Sequence, residues 1–303
     1  MMYGMDDASR EWFEYLKDKL VNNGYKQCIN DPCAFVKREE EEVCIVAVHV
    51  DDGTDLCNSD RLRDELYGIL EKHFKITKQD CLESQLGMTL EYNEDGSITV
   101  IMPVHIRKVI EEVYPEGTAI PIATTPMSEK WNEAYQRDAE RCDIERWMMI
   151  LGMVVWILRV RLDIACAVSI LCSRTQEATT RDMEALERIV AYLAFTEKIG
   201  VTFHPEVSEE EKGKDWVEQT GYADAAVRAY MDDSQAQNGI ATKLGSKESK
   251  SGMYIGSPAK NKSMVPLAST GAELAAAVEE TKDVIWSREL LQEWGYNSEQ
   301  ATS

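Results

Sequence analysis

The chain has 303 residues, with 54 acidic against 33 basic side chains, a net charge of −21 and 44% hydrophobic content, the composition of a folded protein. Its longest apolar run, residues 148–158, is interrupted by Gly152 and stopped by Arg159, well short of the ~20 residues of a membrane span. No membrane partner is therefore expected. The opening MMYGMDDASREW has neither the basic nor the apolar region of a secretory signal, so a cytoplasmic or nuclear location is expected. The eight cysteines form no CxxC pair and do not group with the four histidines at zinc spacing, which argues for free thiols. The acidic balance opposes tight binding to phosphate backbones.

In chain order, residues 9–22 place Trp12, Phe13, Leu16 and Leu20 at helical spacing, with Gly24 as a stop signal. CAFVKR and VCIVAVHV then flank the acidic tract 39–42 as a hairpin. Residues 60–74 return to helical periodicity, and NEDGSITVIM reads as a turn and a strand. The proline-punctuated stretch YPEGTAIPIATTPM precedes two expected helices. The first, residues 144–172, is apolar almost all round and reads as buried; the second, 180–195, carries one stripe after a threonine cap. HPEVSEEEKGKDWVEQ reads as a solvated loop. Beyond it TGYADAAV, NGIATKLG and SGMYIG read as three strands, followed by a helix over 269–294. The whole pattern is α+β.

One stretch has a chemical character. VHVDDG runs an apolar strand into Asp51 and Asp52. Asp-Gly is a strong hairpin-turn dipeptide, and a turn alone accounts for the pattern. The same tight turn also presents two carboxylates side by side, the arrangement that holds divalent cations for phosphoryl transfer. Trp147, Trp156 and Trp286 lie in apolar helical stripes and read as core anchors, His204 as a histidine at a strand end, and Asp232 and Asp233 as turn residues.

The order of motifs resembles the reverse transcriptase and RNase H region of copia-type LTR retrotransposon Pol polyproteins. YGMDDASREWFEYLKDKLVNNGYKQCINDPCAFVKR is similar to that family's Tyr-Gly-Leu-Lys-Gln-Ala-x-Arg-x-Trp block and the segment after it, and VHVDD stands where its Tyr-Val-Asp-Asp stands. LESQLGMTLEYNEDGSITVIMPVHIRKVIEEV resembles the Phe-Leu-Gly strand and the helix beyond, and Thr125, Pro126 and Met127 fit its Thr-Pro-Met. Asp163, Ile164, Tyr192, Leu193 and Thr196 match the helices around Arg-Pro-Asp-Ile and Tyr-Leu-x-x-Thr. GYADA looks like the first RNase H strand, SGMYIG like a later one and STGAELAAA like the first RNase H helix.

The resemblance implies a partial reverse-transcriptase palm and thumb over 1–127, a helical connection over 128–200 and a partial RNase H-like domain over 201–303. It also implies that Asp51 and Asp52 are catalytic metal ligands of a polymerase site, that Asp224 and Glu273 are those of an RNase H site, and that the metal is Mg2+ or Mn2+. The partners of an active form are an RNA template, a DNA primer or an RNA–DNA hybrid. Several departures weaken the activity. Only Met1 and Met2 precede Tyr3, so the family's upstream aspartate has no counterpart here, and the later RNase H acids would follow residue 303. The family's Lys-Gln is Asp6-Asp7, its motif tyrosine is His49, its Arg-Pro-Asp proline is Leu162, and Gly271 replaces one of the paired acids. The expectation is a retrotransposon-derived fragment without autonomous activity, its missing polymerase segment supplied, if at all, by a partner chain. The alternative is a degenerate remnant acting only as a binding module.

Overall fold

The computed structural model describes residues 7–79, 81–128, 139–175, 177–204, 219–227, 236–244, 253–255, 259–260 and 269–296. They form two compact units, one made of the described residues up to Leu82 and from Val284 onward, the other of those between Glu83 and Asp283. The mixture of helices with antiparallel sheets is the α+β class that the sequence indicates.

In the first unit, helix α1 (Ala8–Val21) precedes strands β1 (Lys26–Gln27), β2 (Ala34–Glu39), β3 (Glu42–His49) and β4 (Asp52–Cys57), and then helix α2 (Asp60–His73). The strands pair in sequence order as an antiparallel meander. The near-continuous apolar run of β3 follows from burial of both faces. Cys44, Val46 and Val48 point with Phe35 towards Leu16 and Leu20 of α1 and Leu62, Leu66 and Ile69 of α2. Val43 and Ile45, of the opposite parity, join Cys28, Ala34 and Val36 on the other face. That face is covered by Leu290, Trp294 and Tyr296, from the last turns of helix α7 (Ser269–Glu293) and the residues just after it. Ser59 caps α2 by accepting the Leu62 amide at 3.3 Å, and Asn58 accepts the Val43 amide at 2.8 Å, so the end of the sheet and the start of the helix are joined.

The second unit contains the meander β5 (Ser84–Gln85), β6 (Met88–Tyr92), β7 (Ile98–Ile101) and β8 (Val201–Phe203). The β5–β6 turn holds Leu86 and Gly87 at φ of 51° and 78°, the positive values of a two-residue hairpin. At the entry to β8, Gly200 lies so close to β7 that a Cβ there would meet the Val100 carbonyl oxygen at 2.1 Å. Four helices build a separate core: α3 (Pro103–Val113), α4 (Ile144–Ile157), α5 (Ala165–Cys172) and α6 (Thr180–Phe195). Trp147, Ile150, Val154 and Ile157 of α4 meet Ile106 and Val109 of α3 and Leu186, Ile189, Val190 and Leu193 of α6. Thr179 and Asp182 form a reciprocal capping box that starts α6.

The third sheet has β10 (Ala236–Leu244) paired along its length with β9 (Gln219–Val227), while β11 (Met253–Ile255) and β12 (Ala259–Lys260) pair with β10 at separate positions. The sequence indicated three strands here; β12 is too short to leave a pattern.

Two expectations are corrected. Residues 144–172 are not one helix: the chain breaks after Ile157, passes through a 3-10 turn at Leu162–Ile164 and resumes as α5. The break turns Arg161 inwards to partners on a different helix. Nor is α4 buried all round, because Met148, Met149, Val155 and Trp156 are 40–47% exposed along one stripe. The acidic segment 205–218 and the turn residues Asp232 and Asp233 lie outside the described residues.

Candidate metal-binding hairpin

β3 and β4 pair in register from Cys44–Cys57 to His49–Asp52, leaving Val50 and Asp51 as the two central residues of the turn. The hairpin is where the sequence puts it. Its centre is not at Asp-Gly, however: Gly53 is already in β4, opposite Val48. Val50 takes a φ of 57°, a left-handed conformation that costs a β-branched residue about 1–2 kcal/mol. Its side chain is exposed, so no packing offsets the strain.

Asp51 and Asp52 are adjacent and exposed at this tip, and neither is paired with a cation among the described residues. Asp55, further along the same strand, differs. It accepts from the Tyr67 hydroxyl at 3.0 Å and the Arg63 Nε at 3.3 Å, and so is already committed to α2. The turn therefore offers two carboxylates with open coordination positions. A hard dication such as Mg2+ takes about six oxygen ligands, and the described residues contain no group of three or more His, Cys, Asp or Glu placed to hold a metal. Asp51 and Asp52 fit as part of a metal site rather than as a whole one.

The second pair is arranged differently. Asp224 is exposed in the middle of β9, in register with Gly239, and its Oδ1 accepts the Ala225 amide at 2.9 Å. Glu273 is exposed in the first turns of α7. The β9 residue that faces α7 is Gly221, where a Cβ would lie 3.0 Å from Glu280 Oε1. Strand alternation puts position 224 on the opposite face. The carboxylate held between helix and sheet is Glu280, buried and accepting from Thr242 Oγ1 at 2.7 Å. Burial pushes its carboxyl above the usual range, against the hydrogen bonds from Thr242 and the Tyr222 backbone. Glu280 carries no motif, and nothing in the sequence reading singled it out.

The residues that resemble Arg-Pro-Asp-Ile and Tyr-Leu-x-x-Thr come together in one cluster. Arg161, fully buried, donates from Nε and Nη2 to the two oxygens of Asp163 at 2.8 and 2.7 Å, and to the Thr196 carbonyl and hydroxyl at 2.9 and 2.8 Å. The Tyr192 hydroxyl donates to Asp163 Oδ2 at 2.8 Å, and Thr196 Oγ1 donates to the Tyr192 carbonyl at 2.7 Å. Partial burial pushes the Asp163 carboxyl up, but Arg161 and Tyr192 together hold it below the usual range. This is a saturated ionic clasp between the 3-10 turn and the end of α6.

Of the three tryptophans expected as core anchors, Trp147 alone is fully buried. Trp156 and Trp286 are 40% and 41% exposed. Trp156 lies on the exposed stripe of α4 under the Arg159 guanidinium, 3.5 Å from the ring centroid, and Trp286 donates from Nε1 to the Asn30 carbonyl at 3.3 Å. His204 directly follows β8, half-buried. All eight cysteines are free thiols. Among the described residues no helix is long and apolar enough to cross a membrane.

Against known proteins, the chain matches no protein-family model. It is 25% identical over 297 residues, 97% of its length, to the retrovirus-related Pol polyprotein from transposon RE1 of Arabidopsis thaliana. It is 24% identical, in an alignment of 307 positions that covers 99% of its length, to the retrovirus-related Pol polyprotein from transposon TNT 1-94 of Nicotiana tabacum. A putative transposon Ty5-1 protein of Saccharomyces cerevisiae is 22% identical over 93% of the chain and 87% of its own length. The chain spans about a fifth of the length of the plant relatives, 19% and 22% for the two named here. Its homologues are thus retrovirus-related Pol polyproteins of copia-type transposons, as the order of its motifs implied.

Proposed function

With that homology as premise, we propose that the chain is a region of a retrotransposon-derived RNA-directed DNA polymerase with an RNase H-like C-terminal part, and that it lacks autonomous polymerase activity. The observation that carries this reading is the β3–β4 turn, which presents two adjacent, exposed and unpaired carboxylates at the position of the family's Tyr-Val-Asp-Asp. In the proposed site Asp51 and Asp52 hold Mg2+ or Mn2+. The bound metal supplies positive charge that lowers the pKa of an attacking hydroxyl and steadies a leaving phosphate oxygen. The chain's own contribution is to fix the two carboxylates on a tight hairpin backed by packing on both faces of β3.

Activity is incomplete because no third acid joins the pair among the described residues. The exposed Asp7 just before α1 adds a negative charge where the family has a polar or cationic residue, which disfavours an incoming triphosphate. Asp224 and Glu273 are proposed as separated remnants of the family's RNase H acids, since Asp224 faces away from α7, which carries Glu273, and RNA–DNA hybrid is the proposed class of partner. The test is extension of an RNA template–DNA primer by the purified chain in Mg2+ or Mn2+. No extension is expected. Extension that disappears in Asp51→Asn with Asp52→Asn would retain the polymerase reading and overturn the claim of inactivity; extension that survives those changes would overturn the assignment of the site.

A further inference from the structure

Residues 28–33 connect β1 to β2 and stand at the end of the first sheet nearest the Asp51–Asp52 turn. Their position is fixed from two sides. Within the sheet, Cys28 N donates to the Ala34 carbonyl at 2.9 Å, Ala34 N to the Asp31 carbonyl at 2.9 Å, and Cys33 N to Asp31 Oδ1 at 2.9 Å. Val48 N then donates to the Cys33 carbonyl at 3.0 Å, and Val48 pairs with Gly53 one step before the His49–Asp52 pair that closes the hairpin. The loop and the base of the turn are thus directly bonded.

The second side is α7. The Glu293 carboxylate accepts the Ile29 amide at 2.5 Å on one oxygen and the Asn30 amide at 3.1 Å and Asn30 Nδ2 at 2.5 Å on the other. Trp286 Nε1 donates to the Asn30 carbonyl at 3.3 Å. The backbone N–H, backbone C=O and side chain of Asn30 are therefore all held by one helix, more than 250 residues away in sequence. Leu290 seats that helix on Cys28, Ala34, Val36, Val43 and Ile45. Partial burial raises the Glu293 carboxyl, but hydrogen bonds from the Ile29 and Asn30 amides, the Asn30 side chain and the Cys28 thiol outweigh that and hold it below the usual range, so the clamp is charged at neutral pH.

We propose that Glu293 is a positioning residue for the candidate metal site: by gripping Ile29 and Asn30 it holds the Cys28–Cys33 loop against the end of β3, and so fixes the turn that presents Asp51 and Asp52. This rests on the reading of those two aspartates as metal ligands. The segment at the far end of the chain is then a working part of the hairpin's support. Charge-assisted hydrogen bonds of this kind are the strong ones, and truncating the acceptor leaves its donors to find water.

The test uses the full chain, with Mn2+ as the probe and amide hydrogen exchange as a second readout. In Glu293→Ala the amides of Cys28, Ala34 and Val48 should exchange about tenfold faster or more, while those of α2, in the same unit, change by less than about twofold. Mn2+ binding should weaken by about threefold or more, and Glu293→Gln, which keeps an acceptor for Asn30, should recover most of the loss. Equal acceleration in α2 would mean general destabilisation and would overturn the proposal, as would unchanged exchange at Val48. If Asp51→Asn with Asp52→Asn removes Mn2+ binding but Glu293→Ala does not, the clamp alone is wrong. If the paired aspartate change leaves Mn2+ binding untouched, the metal reading itself falls.

Discussion

At the scale of single residues, two backbone positions constrain which side chain they accept. Val50 occupies a left-handed conformation at the hairpin tip with an exposed side chain. Replacing it with glycine or asparagine should raise stability by about 0.5–1 kcal/mol in a denaturant titration. Gly200 is the reverse case. A methyl group there would overlap the Val100 carbonyl oxygen, a backbone atom that cannot rotate away. Gly200→Ala should cost about 3 kcal/mol or more, and an unchanged denaturation midpoint would show that β8 can move off β7. Neither position announces itself in sequence. A valine in an apolar strand looks like strand, and only the pairing of His49 with Asp52 puts Val50 in the turn.

At the scale of elements, the clasp of Arg161, Asp163, Tyr192 and Thr196 explains why residues 144–172 are not one helix. The gain from bonding Arg161 at its Nε and both Nη atoms exceeds that of continuing the helix through Leu158–Arg161. Arg161→Ala should destabilise by about 3–5 kcal/mol, since it leaves Asp163 partly buried with its main partner gone. The pH dependence has a definite sign. Asp163 is depressed in the folded chain, so its contribution is present above the unfolded value of about 3.9 and is lost as pH falls through the lower folded value. Asp163→Asn should therefore be less stable than the original chain at pH 7, with the gap closing below about pH 4. A gap constant down to pH 2 would contradict the charge-based account.

The helix break was not legible because its cause lies 35 residues away in Thr196. The hairpins and α1, α2 and α6 were legible because their periodicity and caps are local. Exposure of Trp156 was not, since the period of α4 gives a stripe but not which neighbour, if any, covers it.

At the scale of the molecule, the α+β class and the kinship to retrotransposon Pol polyproteins were both readable, the first from alternating patterns and the second from ordered motifs. The candidate site was readable only in part. Asp51 and Asp52 are adjacent in the chain and so could be found together. What supports them is not adjacent: Glu293 reaches Asn30 across 263 residues, and no local pattern marks such a pair. The net charge of −21 sets a further expectation. Binding to an RNA–DNA hybrid should be weaker than about 1 μM even at low salt, because few phosphates can be neutralised and few counterions released. Sub-micromolar binding with a steep salt slope would instead locate a basic surface that overcomes the global charge.

The most direct measurement is Mn2+ binding to the full chain, followed by electron paramagnetic resonance, beside the same titration of Asp51→Asn with Asp52→Asn. The expected result is one weak site present in the original chain and missing from the variant, over an unchanged background from the other acids. Identical titrations would contradict the account, and would leave the β3–β4 turn a hairpin without a metal.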